Sequence, residues 1–358
     1  MRREMADKPS PAEQGPEASC EATPAEQAPE TSCETSPAVE QDQETALEAA
    51  ADLDDSEAES IFSTAVSSTA SLTNSIFEYR QLHGRTFQSS STAEYWGPND
   101  DQQLEGLDLI YHVITILMGD KLFVAPIGDD VQRVLDIGTG TGIWACDFAD
   151  DHPGAEVIGT DISPVQATWV PPNVRFIIDD CLLDWTWPDD HFDFIHIRCM
   201  YGSIPDFVAL YKKALKHLKP GGYIQCIEVD VYPRSDHVYY PDNHIFHRWA
   251  KLFRESGERL GKSFCVAEGH TMRDNLDSAG FVGIVEKKFK MPMHGWPKDQ
   301  NLKRAGFLCM AAIDQSLEGF ALYVSTEVMG WTREEALVFT AEMRREVRKL
   351  SNCAWLWA

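Results

Sequence analysis

The string VLDIGTGTGIWA, residues 134–145, restricts the possible folds of this chain more than any other segment. A short apolar run delivers Asp136 and Ile137, glycines then alternate at Gly138, Gly140 and Gly142, and a helix-forming stretch follows. Glycines in such a place let the backbone turn sharply and let a ligand approach without Cβ atoms in the way. The string therefore predicts a strand, a tight turn and a helix in immediate succession. A dinucleotide fingerprint, G-x-G-x-x-G, is the main rival. Its third glycine would stand at 143, which is isoleucine, and the glycine at 142 comes one residue early. Tight strand-to-helix packing without any ligand would also use glycines, so the turn alone does not settle the chemistry.

The surroundings give the loop a context. Strand-like runs stand at RVLDI (133–137), AEVIGTDI (155–162), NVRFIID (173–179), FDFIHIR (192–198) and GGYIQCIEV (221–229). Between the last two, SIPDFVALYKKALKHLKPGG has helical periodicity and is stopped by Pro220 and Gly221. Ahead of them QLEGLDLIYHVITILMGDKL (103–122) reads as an amphipathic helix. Strands alternating with helices predict an α/β fold, a doubly wound and mostly parallel sheet covered on both faces, with added helices. After Pro233 the rhythm changes to a helix over 244–264, a helix over 270–281, a strand over 282–291, and two or three closing helices. One of these, 332–350, has Thr332 as N-cap and an acidic first turn.

The N-terminal region follows other rules. Residues 1–58 are rich in Ala, Glu, Pro, Ser and Gln, and two similar stretches begin at Pro11 and Pro24. A segment so poor in aromatic and branched apolar residues cannot offset its ordering entropy, so residues 1–75 read as a disordered acidic tail, rich in Ser and Thr towards its end. The folded part is expected to start near Ile76 and to occupy 76–358. Its ligand core would be 130–230, a helical cap or substrate region 231–280, and a C-terminal strand with helices 281–358. Residues 1–70 hold 17 acids against 3 bases, and the whole chain carries a net charge of −26. A phosphate backbone would be repelled by such a surface, which argues against direct nucleic-acid binding. No run of about 18 apolar residues predicts a membrane span. The N-terminus has neither a secretory nor a transit signature. Nine cysteines without a C-x-x-C pair argue against a zinc site or a disulfide framework, and a cytoplasmic or nuclear location is expected.

Acids at the strand ends sharpen the reading. Asp161 closes the second strand, where a carboxylate can accept both hydroxyls of a ribose. Asp179 and Asp180 close the third, offering an acceptor to an adenine amine. Singly, each acid is ordinary. Three acids at the carboxyl ends of consecutive strands, around one glycine loop, point to an adenosyl ligand on that rim.

Taken together, these strings resemble the class I (Rossmann-like) methyltransferases, and more narrowly the LaeA-like methyltransferases of filamentous fungi. The resemblance is carried by HGRTFQ (83–88), YWGPND (95–100), the glycine loop, GTDISPVQATWVPPNVRFIIDD (159–180), DWTWPDDHFDFIHIRCMYGSIPDF (184–207) and LKPGGYIQCIEVD (218–230), and extends through HGWPKD (294–299) and 329–349. It implies S-adenosyl-L-methionine as cofactor. The loop Gly138–Thr139–Gly140 through Gly142 would hold it, with Asp161 on the ribose and Asp180 with the Cys181 backbone on adenine. Asp136 and Ile162 complete the expected contacts, and Arg198 with Cys199 would flank the methyl-transfer opening. Relatives of this kind are either nuclear regulators of secondary metabolism that associate with velvet proteins, or tailoring enzymes. The implied partner is thus a small-molecule acceptor or a velvet-type regulatory protein. Two departures stand out. Gln103 and Gly106 replace charged residues of the family, which puts entrance-side contacts in question. The chain also lacks the usual aromatic Tyr-Gly-Arg ending, so the final antiparallel strand is expected to be missing or badly formed and catalysis weakened.

Methyl transfer from a sulfonium is an in-line displacement that depends largely on holding the two reactants together, and needs a base only if the acceptor arrives protonated. His196, Glu228 and Tyr201 fall near the rim. His196 reads as a packed histidine inside a strand and Glu228 as a group solvating a strand end, so no catalytic residue and no metal ligand is assigned. Phe246, Trp249, Leu252 and Phe253 have the spacing of a core-facing helical stripe, and Trp185 and Trp187 are expected to pack on the sheet.

Overall fold

The computed structural model describes residues 79–90 and 94–358, which fall in the compact unit Glu59–Ala358. The expected start near Ile76 and the low-complexity tail lie outside the described residues. A hairpin, β1 (Arg80–Leu82) and β2 (Arg85–Phe87), precedes helix α1 (Asp101–Leu117), whose N-cap Asp100 accepts the backbone N–H of Gln103. Arg85 donates to the Asp100 carboxylate and ties the hairpin to that helix start. Then come β3 (Arg133–Ile137), α2 (Ile143–Asp151), β4 (Glu156–Asp161), β5 (Val174–Ile178), β6 (Phe192–Arg198), α3 (Phe207–His217) and β7 (Leu218–Ile227).

These five strands form one parallel sheet in the order β5-β4-β3-β6-β7. Their apolar runs are buried on both faces, Val134, Leu135, Ile137, Phe194, Ile195 and Ile197 all being inaccessible or nearly so. That is the environment of a sheet covered by helices on two sides. The chain reverses its direction of winding at β3, since β4 lies on one side of it and β6 on the other. The crevice beyond the carboxyl end of β3 is therefore the ligand-binding position of such a sheet. β7 starts earlier than the glycines at 221 and 222 suggested. A register shift opposite Phe192–Phe194 absorbs the Pro220–Gly221 step.

Beyond the sheet lie α4 (Ile245–Leu260), α5 (Thr271–Ala279), β8 (Lys290–Pro292), α6 (Gln300–Tyr323), a π-helical turn (Val324–Val328), α7 (Arg333–Val347) and β9 (Trp355–Trp357). Phe246, Trp249, Leu252 and Phe253 are core residues, as their spacing implied, and Trp249 lies parallel to Phe339 of α7. Thr332 caps α7 in a reciprocal box with Glu335. Trp185 and Trp187 pack with His217 and Phe192 at the edge of the sheet core. Three expectations are corrected. The strand over 282–291 shrinks to Lys290–Pro292, and Val282 and Val285 are 92% and 77% exposed. The final antiparallel strand is present: β9 pairs with β8, and Trp355 exchanges both backbone hydrogen bonds with Arg234 at 2.8 Å. Trp-Leu-Trp has the large side chains and strand propensity that such a pairing needs. Gln103 and Gly106 are not entrance residues either. A Cβ on Gly106 would stand 2.0 Å from Ser316 Oγ, and one on Gly319 would stand 2.1 Å from Gln103 Oε1. Both residues thus face α6 in a close helix crossing. Helix α6 with its π extension is long and apolar enough to span a membrane by length and composition, and 56% of its most apolar 18-residue window is buried inside the fold.

Candidate functional site

A cleft with about 1160 Å³ of empty space, counted out into the solvent at its mouth, lies at the carboxyl ends of β3, β4, β5 and β6, beneath α1 and the 94–99 segment. The glycine loop forms its floor. Gly138, Gly140 and Gly142 all hold left-handed backbones, with φ of 69°, 58° and 84°. Gly138 and Thr139 both donate their N–H to the Thr160 carbonyl at 2.9 Å, which fixes the loop over the end of β4. A Cβ at Gly140 would meet nothing within 4 Å, whereas one at Gly142 would stand 2.2 Å from the Phe176 ring. Gly140 therefore leaves open space in the cleft, and Gly142 serves packing.

Asp136 braces the loop from below. It is 2% exposed, accepts the Thr139 hydroxyl at 2.6 Å through one oxygen, and accepts His196 Nδ1 at 2.7 Å through the other. His196 is fully buried and lies flat on Trp144, the rings 3.8 Å apart. Burial holds its pKa below the usual imidazole value, so the ring is neutral and gives its one N–H to the carboxylate.

Asp161 stands at the end of β4 and lines the cleft. Its Oδ2 accepts the Gly140 N–H and its Oδ1 the Ser163 N–H, each at 2.9 Å. A carboxylate oxygen carries two lone pairs, so both oxygens keep capacity for a further donor. Burial pushes its pKa up to about 6, against the pull of those two N–H groups, and neighbouring Asp136 adds to the rise. Gln166 ties the same corner together by donating to the carbonyls of Gly140 and Ser163 at 2.7 and 2.9 Å. Asp180 is 7% exposed; Oδ1 accepts the Leu182 N–H, and Oδ2 has no hydrogen-bond partner among the described residues. Burial pushes the neighbouring Cys181 thiol up to about 12, and its carbonyl is already taken by Trp185 Nε1 and Lys213 Nζ.

On the opposite wall Asp108 of α1 accepts the Thr141 hydroxyl at 2.6 Å, which joins the helix to the glycine loop. Burial raises the Asp108 pKa, opposed by that hydrogen bond and by the Arg198 charge. The Arg198 guanidinium lies 4.8 Å over the Tyr111 ring. After β6 the backbone turns through Cys199 at φ 54°. Glu228 holds this turn by accepting the N–H groups of Met200 and Tyr201 at 2.9 and 3.1 Å. Glu228 is 3% exposed, so it does not solvate a strand end, and burial pushes its pKa up to about 8.

Eight of the ten residues expected at the cofactor site line this one cleft: Gly138, Thr139, Gly140, Asp161, Ile162, Asp180, Cys181 and Arg198. Asp136 and Gly142 lie behind its wall, as do His196, Glu228 and Tyr201. Among the described residues no group of three or more His, Cys, Asp or Glu is placed to hold a metal ion. Sequence reasoning passed over Asn99, Asp108 and Ser203, which also line the cleft. Asn99 is the fifth residue of the YWGPND string, so its position was marked without a role.

An open glycine turn, a carboxylate with spare acceptor capacity at the next strand end and a half-partnered carboxylate at the one after fit an adenosyl group. The acidic lining suits a sulfonium cation. The class that this fold and site define is the class I methyltransferase. Residues 110–286 match the family described as "Methyltransferase domain". Methyltransferase pytC of Aspergillus terreus is 38% identical over 286 residues, covering 79% of this chain and 87% of that protein. The secondary metabolism regulator LAE1 of Cochliobolus heterostrophus is 32% identical over 254 residues, covering 70% of this chain and 82% of that protein. The secondary metabolism regulator laeA of Aspergillus fumigatus is 30% identical over 286 residues, with 79% and 76% covered. The chain belongs to the LaeA-like family of S-adenosylmethionine-dependent methyltransferases.

Proposed function

We propose that this methyltransferase acts on a small molecule of fungal secondary metabolism, with its cofactor held between the glycine loop and the acids of β4 and β5. The observation that carries the placement is the bond from Gly140 N–H to Asp161, which sets a carboxylate with free lone pairs beside the one glycine of the loop that leaves open space. In this reading Asp161 takes the ribose hydroxyls and Asp180 Oδ2 an adenine amine. Gly138, Thr139, Ile162, Cys181 and Arg198 shape the remaining surface. The cofactor supplies a methyl group on a positively charged sulfur, open to displacement by an acceptor's lone pair. The protein's part is positional. Asp136 and His196 stiffen the loop, Asp108 joins α1 to Thr141, and Glu228 fixes the Cys199–Tyr201 turn on the far side. Rate enhancement then comes from orientation and exclusion of water.

Calorimetric titration with S-adenosylhomocysteine tests the placement. Gly140→Arg and Asp161→Ala are each expected to abolish binding while the thermal melt stays cooperative. Wild-type affinity in both variants would put the cofactor elsewhere. A regulatory role is the second reading, favoured by the names of relatives at 30–32% identity, and the partner that the family resemblance implies for it is of velvet type. Binding of a velvet protein without methyl transfer to any small molecule would decide for it.

A further inference from the structure

The cleft is larger than its glycine-loop half, and the other half carries polar atoms that no described residue satisfies. Asn99 lines it at 6% exposure, and neither carboxamide atom has a hydrogen-bond partner among the described residues. Ser203 Oγ lines the same cleft and is likewise buried without a partner. A buried amide or hydroxyl left unpaired costs about 1–3 kcal/mol, so two such groups on one cavity wall mark a place shaped for a ligand.

Their position places them on one side of the cleft. Asp108 meets the glycine loop at Thr141, while Asn99 precedes the first residue of α1, Asp101, which stands about 10 Å along the helix from that meeting point at ~1.5 Å per residue. Ser203 lies beyond the Cys199 turn, and its segment is joined to that of Asn99 by Trp96 Nε1 donating to the Tyr201 carbonyl at 3.3 Å. The two unpaired groups thus belong to one linked wall, which borders the glycine loop where Met200 lies against Gly138. Pro98, Leu104, Met200 and Ile204 make the rest of that side apolar.

Resting on the cofactor placement above, we infer that Asn99, assisted by Ser203, is the acceptor-recognition group of the cleft. The acceptor is a neutral, mostly apolar small molecule that presents a hydrogen-bond donor and acceptor side by side, as the edge of an amide does. A free carboxamide offers one acceptor and one donor on a single edge, and an amide edge answers both. A carboxylate answers only the donor, and it would enter a lining that holds Glu94, Asp108, Asp161, Asp179 and Asp180 against Arg198.

The test titrates full-length protein, saturated with S-adenosylhomocysteine, with three probes of one shape: 2-naphthamide, N,N-dimethyl-2-naphthamide and 2-naphthoate. 2-Naphthamide is expected to bind at least about tenfold tighter than either other probe, which corresponds to ~1.4 kcal/mol. Asn99→Leu should erase that preference and leave affinity for S-adenosylhomocysteine within about twofold. Asn99→Ala, which removes both amide groups and adds no bulk, should do the same if the leucine variant fails to fold. Equal binding of the probes, no binding of 2-naphthamide, or a preference that survives both substitutions overturns the inference. So does a loss of S-adenosylhomocysteine affinity in the variants, which would make Asn99 a cofactor contact. Failure of the wild type to bind S-adenosylhomocysteine at all would instead overturn the cofactor placement.

Discussion

The glycine loop contains two residues that look alike in sequence and should behave differently when altered. Gly140 and Gly142 both have positive φ, so alanine at either place pays the left-handed penalty of about 1–2 kcal/mol. At Gly140 nothing else follows, because a Cβ there meets open space. At Gly142 the new methyl would stand 2.2 Å from Phe176 Cζ, on a ring that also lies against Gly159. Overpacking of this kind adds about 1–3 kcal/mol, which makes the total for Gly142→Ala about 2–5 kcal/mol. Urea denaturation of the two variants, each with and without S-adenosylhomocysteine, measures both effects. Gly142→Ala should lose the greater stability in the absence of ligand. Gly140→Ala should lose about 1–2 kcal/mol and show the larger drop in affinity, since its methyl enters the cleft. A Gly140→Ala variant less stable than Gly142→Ala would refute the assignment of one glycine to the ligand and the other to packing.

Three further outcomes follow from the buried acids and the last strand. With Asp161 near 6, affinity for S-adenosylhomocysteine should weaken as pH falls through 6, because protonation replaces an acceptor by a donor; a flat profile from pH 8 to 5 by calorimetry would contradict this. Glu228, with its pKa raised from 4.5 to about 8, favours the folded state while protonated, so its contribution declines as pH rises from 4.5 to 8 at up to about 1.4 kcal/mol per pH unit. The stability difference between wild type and Glu228→Gln, read by urea melts at pH 5.5 and 8, should shift against the wild type at the higher pH. Trp355→Ala removes a side chain that is 4% exposed and should cost about 3–5 kcal/mol; a loss under 1 kcal/mol would mean that β9 contributes little.

Much of the sheet was legible because strands buried on both faces are written as plain apolar runs, and RVLDI and FDFIHIR match their strands end to end. The site was legible to the extent that backbone chemistry determines it: glycines with positive φ and acids at strand ends. What the sequence concealed was the direction in which each side chain points. Asp136 precedes the first glycine and looks like a ligand contact, yet its partners are His196 and Thr139. Glu228 ends an edge strand and looks solvated, yet it is sealed in by the two N–H groups it holds. The 282–291 run has strand composition but pairs only from Phe289 onward, where its backbone exchanges both hydrogen bonds with Ala358. Conversely, the short Trp-Leu-Trp ending is too brief to announce a strand and becomes one through partners more than 60 residues away at Lys290–Pro292.

The crossing of α1 and α6 bears on how such an enzyme can change. Gln103 and Gly106 occupy one side of α1 and are locked against Gly319 and Ser316, where even a methyl group has no room. Leu104 and Leu107 line the cleft. The helical period turns Leu104 about 100° away from Gln103, whereas Leu107, one turn on from Gln103, borders the seam. Substitutions at 104 can therefore reshape the acceptor pocket while the seam that fixes the helix stays intact. On this helix the freedom to acquire a new substrate and the obligation to stay folded are assigned to different residues.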